Sequence, residues 1–129
     1  MASAEKLVAG TGEQNYTYRM VSKLAVWKEN AIILLDLPDI LYLTVVEKRV
    51  VVHTADGTYE SGSTLNILER RLYPQGFFRS HKSFVVNMDY VEKIVPWFNS
   101  TYMMKLKGES EQIPVSRHYI KGLRSLLDI

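Results

Sequence analysis

Phe77-Phe78-Arg79-Ser80-His81-Lys82-Ser83-Phe84-Val85-Val86-Asn87 is the stretch on which the reading of this chain turns. Arg79, His81 and Lys82 fall close together and run straight into the apolar strand Phe84-Val85-Val86. Basic side chains at a strand entrance project from the end of a sheet, where a partner can reach them. Further on the chain reads Ile113-Pro114-Val115-Ser116-Arg117-His118-Tyr119. There Ser116-Arg117 follows a Pro-containing strand and precedes a short apolar-periodic helix, and a helix start that carries a basic residue is a ready place to hold a phosphate. Donors mounted on two rigid edges suggest a polyanionic partner, with DNA the first candidate.

Outward from this stretch, most of the chain reads as strands. Leu24-Ala25-Val26-Trp27 and Ile32-Ile33-Leu34-Leu35 flank Lys28-Glu29-Asn30, a hairpin turn. Pro38 ends the second run because proline cannot donate to a ladder. Ile40 to Val46 is a third strand, Glu47-Lys48-Arg49 a charged interruption, and Val50 to Thr54 a fourth, with Ala55-Asp56-Gly57 turning into Thr58-Tyr59-Glu60. The period then changes: Leu65, Leu68 and Leu72 recur at helical spacing, Ser63 or Thr64 can cap the start, and Pro74 and Gly76 stop the helix. After Phe84 to Val86, Tyr90 to Val95 and Tyr102 to Leu106 form a hairpin across residues 96–100, and Glu111 to Val115 is the last strand. Ser116 to Leu127 is helical, with Ile120, Leu123, Leu126 and Leu127 in one apolar stripe. The fold class is therefore mainly β: about ten short strands in small packed antiparallel sheets, with one or two short helices.

Residues 1–20 are small, polar and aperiodic and read as a linker, a tail or an expression-derived segment, although Tyr16, Tyr18 and Met20 could add a short edge strand. Residues 21–129 form the domain. A chain of 129 residues is one domain with one proper core. No apolar run approaches the ~18 to 20 residues of a membrane span, and no signal-peptide core is present, so a cytoplasmic location is expected. The absence of cysteine excludes disulfides, Cys-based zinc sites and thiol catalysis. Net charge is +2, unevenly spread: residues 1–60 carry six Lys/Arg against eight Asp/Glu, residues 61–129 ten against six. The basic half contains both segments quoted above.

Enzyme chemistry finds no constellation, and no cofactor or metal is expected. His53, His81 and His118 do not fall at metal-ligand spacing, the glycines lie singly at turns, and no nucleophile elbow occurs. His53 alternates with valines and reads as a strand-face residue. Duplex DNA binding fits better, because DNA is held through phosphates and read by a few side chains on base edges. Lys48 and Arg49 sit in one tight connection, Arg79, His81, Lys82 and Ser83 in a second, and Ser116 and Arg117 in a third. If antiparallel sheets bring these onto one edge, the result is a row of loops that can enter grooves. Trp27 and Phe84 read as core aromatics, since aromatics at strand spacing are mostly buried. A different class, a protein-interaction module, would use Trp97-Phe98 beside Pro96 as an exposed anchor. Asn87 reads as a turn residue whose amide holds the local backbone, because the strand carries it to the end opposite Lys82.

The motifs, taken in order, resemble the LytTR DNA-binding domain of bacterial transcription regulators, the output module of many response regulators of the LytR/AlgR family. The resemblance runs from about Lys23 to Leu127. It is carried by Leu37-Pro38-Asp39-Ile40-Leu41-Tyr42, by Val52-His53-Thr54-Ala55-Asp56-Gly57, by the Leu65, Leu68, Leu72 spacing, by Phe78 to Asn87, and by Ile113-Pro114-Val115-Ser116-Arg117 with Tyr119. It implies about ten short strands with a short helix, and loops rather than a recognition helix in the DNA grooves. The implied loops match Glu47-Lys48-Arg49, the Arg79 to Ser83 stretch and the Ser116-Arg117 junction. It further implies direct repeats bound as head-to-tail pairs, with bending of the DNA. The receiver domain that often precedes this module is absent from this sequence, as are the sensory or membrane segments that sometimes replace it, so the resemblance implies either an excised output domain or a short stand-alone regulator.

Overall fold

The computed structural model describes residues 20–129. The strands are β1 (Lys23–Lys28), β2 (Ala31–Asp36), β3 (Ile40–Val46), β4 (Arg49–Thr54), β5 (Gly57–Ser61), β6 (Phe77–His81), β7 (Phe84–Asn87), β8 (Val91–Pro96), β9 (Tyr102–Leu106) and β10 (Gln112–Val115). The helices are α1 (Leu65–Leu72), between β5 and β6, and α2 (Arg117–Leu127), after β10. All strand pairs are antiparallel, in a seven-stranded sheet of order β2-β1-β5-β4-β3-β7-β6 and a three-stranded sheet of order β10-β9-β8. The mainly β architecture, the hairpins and both helices follow the sequence reading.

Two tight turns set the geometry. Glu29-Asn30 joins β1 to β2 and Glu47-Lys48 joins β3 to β4, each with both residues at positive φ (51° and 68°, 51° and 67°). Two-residue hairpins favour this mirror-image turn because its twist matches that of the strands. Neither turn uses the Asn-Gly pair such turns prefer, so Lys48 is held in a left-handed conformation that disfavours it by roughly 1–2 kcal/mol.

The core lies on both faces of the larger sheet. On one face α1 lays Leu65, Leu68 and Leu72 over Leu43, Val52 and Val85. Thr64 caps α1, its Oγ1 accepting from Ile67 N at 3.2 Å. On the other face the three-stranded sheet and α2 bring Met104, Ile113, Val115 and Leu123 onto Tyr42, Phe78 and Val86. A bulge between Ile40 and Tyr42 lets Leu41 and Tyr42 share that second face. Strands β3, β6 and β7 are thus covered on both sides, which explains why Phe84-Val85-Val86 is continuously apolar rather than alternating.

Three details depart from the sequence reading or fall beyond it. Trp27 is exposed on the outer face of β1 instead of joining the core. In the apolar stripe of α2 only Leu123 is fully buried, and Leu126 and Leu127 remain exposed. Tyr16 and Tyr18 lie outside the described residues, and Met20 belongs to no strand.

Asn87 behaves as the turn reading expects. It is 2% exposed. Its Nδ2 donates to Ile40 O at 2.9 Å and its Oδ1 accepts from Asp89 N at 3.0 Å, so one amide locks the end of β7 to β3 and to the following turn. Asn87→Ala strands a buried carbonyl and a backbone N–H. A loss of ~1–3 kcal/mol is expected, seen as a lowered Tm, with DNA affinity per folded molecule close to wild type. A stable Asn87→Ala protein that no longer binds DNA would contradict this assignment.

Candidate nucleic-acid interface

Strand register decides where the three basic connections lie. Phe84, the first residue of β7, pairs with Thr44 near the end of β3, and Val45 N donates to Ser83 O at 3.1 Å. The Lys82-Ser83 turn between β6 and β7 therefore stands beside the Glu47-Lys48 turn between β3 and β4, on one edge of the sheet. Ser116 N donates to Ser80 O at 3.0 Å, which ties the β10–α2 junction to β6 just before that same turn. The structure brings all three connections together.

Each connection presents one exposed cation with no protein partner among the described residues: Lys48, Lys82 and Arg117. Lys48 stands at the tip of its hairpin. Arg117 opens α2 behind Ser116, whose side chain makes no capping bond. The Ser116 hydroxyl and the first helical N–H groups are therefore unused by the usual side-chain cap, at the end of the helix that favours anions. Arg49 is exposed too, but its guanidinium reaches Glu60 at 3.3 Å, a surface pair that contributes little.

Arg79 requires a correction. Expected as a gripping residue at the edge, it is instead buried, at 9% exposure. Its Nε donates to His81 O at 2.9 Å and its Nη2 to Lys82 O, so the guanidinium holds the turn from behind. Its Nη1 donates to Asn66 Oδ1 at 3.0 Å and to Glu69 Oε1 at 2.8 Å, both on α1. The side chain braces the loop and does not stand where a groove could reach it. Asn66 and Glu69 are partners of Arg79 that the sequence reading missed. Their only signal was their place on the polar side of a helix next to a strand carrying a lone arginine.

His81 is held by the same turn. Its Nδ1 accepts from Ser83 N at 3.0 Å, which assigns the proton of the neutral ring to Nε2. The ring meets Phe84 edge-on at 5.7 Å between centroids. Burial first, then the charges of Lys82 and Arg79, push its pKa below the ordinary 6.5. Neutral His81 offers an Nε2–H donor beside Lys82. Ser80, between Arg79 and His81, has a fully buried hydroxyl with no hydrogen-bond partner among the described residues. His53, by contrast, stacks on Tyr42 at 4.2 Å on a strand face, as its alternation suggested. Among the described residues no group of His, Cys, Asp or Glu is placed to hold a metal.

Residues 30–128 match the family model described as the LytTr DNA-binding domain. The chain belongs to this family. It is 44% identical over 107 residues to a sensory transduction protein LytT of Bacillus anthracis, covering 83% of this chain and 43% of that protein. It is 36% identical over 102 residues to the transcriptional regulatory protein YpdB of Escherichia coli K12, covering 79% of this chain and 42% of that protein. The fold matches the solved LytTr DNA-binding domain of a DNA response regulator from Bacillus cereus with a TM-score of 0.78 at 27% identity, over 84% of this chain and 98% of that domain. This LytTr chain thus spans less than half the length of the curated relatives it matches. No helix among its described residues is long and apolar enough to cross a membrane.

The state of His81 can be checked directly. Long-range 1H–15N NMR should find the Nε2–H form and a titration midpoint below 6.5. The unfolded chain then takes up the proton first as pH falls. The stability His81 provides is complete above the ordinary histidine pKa and is lost as pH falls through the lower folded value. Between about pH 7.5 and about pH 5.5, wild type should lose more stability than His81→Asn, whose amide oxygen can still accept from Ser83 N. An Nδ1–H tautomer or a raised midpoint would contradict this geometry.

Proposed function

We propose that the chain binds double-stranded DNA sequence-specifically, as the output domain of a bacterial transcription regulator, by inserting the loops of one sheet edge into successive grooves. The observation that carries this reading is the convergence of Lys48, Lys82 and Arg117, one unpaired cation from each of three connections, on a single edge. Arg117 is the principal base reader, because its planar fork can pair bidentately with a guanine edge. Lys48 reads or steadies the neighbouring groove segment. His81, Lys82, Ser83 and Ser116 hold backbone between them, with Arg49 at the flank. Arg79 contributes by fixing the turn and makes no phosphate contact of its own. No catalytic step is assigned to any residue.

In the intact regulator a receiver or other sensor segment would carry the input, the target would be direct repeats occupied head to tail, and the work on DNA would be cytoplasmic. A competing reading, a protein-interaction module, is favoured by one observation: Trp97 and Phe98 are 48% and 74% exposed. A salt series separates the two. Binding through several phosphates weakens steeply as salt rises, and an interface built on Trp97 does not.

Gel-shift titration of Arg117→Ala should show a loss of ~1–3 kcal/mol on the selected site and a smaller loss on random duplex. Unchanged specific binding would remove Arg117 from this role.

The edge is too short for all three loops to enter one straight major groove. They span groove segments about one helical turn apart, with the His81–Ser83 turn over the minor groove between. That contact is easier when the duplex curves toward the protein, at a cost of order 1–6 kcal/mol offset by added phosphate contacts. Circular-permutation mobility should therefore reveal a bend, and flexible or A/T-rich steps between the read segments should raise affinity. An unbent complex that is indifferent to the intervening sequence would rule out this docking.

A further inference from the structure

Helix α2 leaves the loop edge and runs along β6, with Ser116 bonded to Ser80 at its start and Gly122 backed onto the Phe78 ring farther up. Leu123 is buried beneath it. The outward side carries Arg117, Lys121 and Arg124, spaced four and then three residues apart, which places them in one stripe. All three are exposed, and none is paired with a carboxylate among the described residues. No Asp or Glu occurs anywhere in α2. A helix with three cations and no acid lacks the mixed pairs that usually neutralise a solvated helical face. Opposite the stripe the β8–β9 connection folds back, with Asn99 and Ser100 at φ 55° and 61°, and Ser100 joins Arg117, Ile120, Lys121 and Arg124 around a shallow concavity of about 520 Å³.

We propose that this face of α2 is a second backbone-binding surface, which takes up phosphates of the duplex flanking the read site. It rests on the DNA-binding reading above and extends the contact from the edge of the domain onto its side. Arg117 belongs to both surfaces, so the positive strip is continuous from groove to flank. Its length fits the ligand. Arg117 is occupied by the groove, and the three residues from Lys121 to Arg124 rise ~4.5 Å, so with one phosphate per ~3.4 Å of duplex axis on each strand these two cations meet two neighbouring phosphates. Ile120 is the one apolar residue among the three cations and Ser100 that line the concavity, so charge dominates what this face presents. A duplex that reaches both surfaces must turn around the α2 side, which gives the expected bend its direction.

The test uses the chain as it stands and two duplexes: one trimmed to a site selected from a random pool, and one extended by a helical turn at both ends. Anisotropy titrations are run across a salt series. Wild type should show a steeper salt dependence on the extended duplex, its preference for that duplex shrinking about tenfold between about 50 and about 200 mM salt, as expected for two additional phosphate contacts. The double variant Lys121→Gln/Arg124→Gln should give the same slope on both duplexes, and Lys121→Arg/Arg124→Lys should keep the steeper one. Both positions are exposed, so folding is checked by an unchanged Tm. A double variant that retains the wild-type slope on the extended duplex, or a wild type with equal slopes, overturns the proposal while leaving groove reading intact. A chain that prefers no duplex, with Arg117→Ala equally indifferent, overturns both readings. Titration with an acidic protein that competes at Lys121 and Arg124 while the two DNA slopes stay equal would assign the face to a protein instead.

Discussion

The loop edge depends on one buried guanidinium. Arg79 sits behind the β6–β7 turn and donates to the carbonyls of His81 and Lys82, while its other arm is fixed to Asn66 and Glu69. A two-residue turn that carries a lysine at its tip has no packing of its own to hold it. The arginine supplies that support from inside the protein, where the turn's outer surface stays free. The pairing is charge-assisted and nearly dry on the arginine side, with Glu69 39% exposed. Removing Glu69 leaves a buried guanidinium without its carboxylate, whereas Glu69 left behind is exposed enough to be met by water, so the pair matters through its arginine side. A lysine could not replace it. One ammonium cannot reach two turn carbonyls and two helix oxygens in a plane.

The brace works because its two ends are themselves fixed. The oxygens of α1 are positioned by the Leu65, Leu68, Leu72 stripe packed on the sheet and by the Thr64 cap. The turn is positioned by β6 and β7, which are covered on both faces, and by the Val45–Ser83 and Ser116–Ser80 backbone bonds to its neighbours. The two hydrophobic clusters therefore meet at the strands that end in the loop edge. Stability and presentation of the cations are served by the same packing. Asn87 closes the opposite end of β7 in the same manner, by bonding backbone that would otherwise be left unpaired.

Most of the strand and helix order was legible because the signals were local. Leu65, Leu68 and Leu72 announce a helix by period, and the seven-residue β3 coincides with the branched and aromatic run from Ile40 to Val46. The three basic connections were legible as well, since charge between apolar strands reads as a turn. Arg79 was not. Sequence places it beside His81 and Lys82 as one more cation, and strand alternation cannot tell an outward side chain from one facing a helix when both faces of the strand are covered. Only the packing of α1 on β6 decides that Glu69 lies within reach. Trp27 misled for the opposite reason: β1 is covered on a single face, and the tryptophan falls on the other. In α2 the apolar stripe extends past the sheet it packs against, which leaves Leu126 and Leu127 uncovered.

Reading DNA with braced loops has a mechanical consequence. A recognition helix is a rod that fits one major groove, and its side chains can adjust along it. Here the cations sit at the ends of three connections whose spacing is set by strand register and by backbone bonds between them. If that bonded edge holds its spacing on DNA, as the proposed docking requires, mismatch between loop spacing and groove spacing is absorbed by the duplex. On the proposed reading, sequence preference has two sources: the contact assigned to Arg117, and the ease with which the intervening steps deform. The left-handed backbone at Lys48 fits this division of labour. Glu47 shares that left-handed backbone, so the strain belongs to the two-residue turn as a whole, and Lys48 brings to it a charge that a glycine would lack.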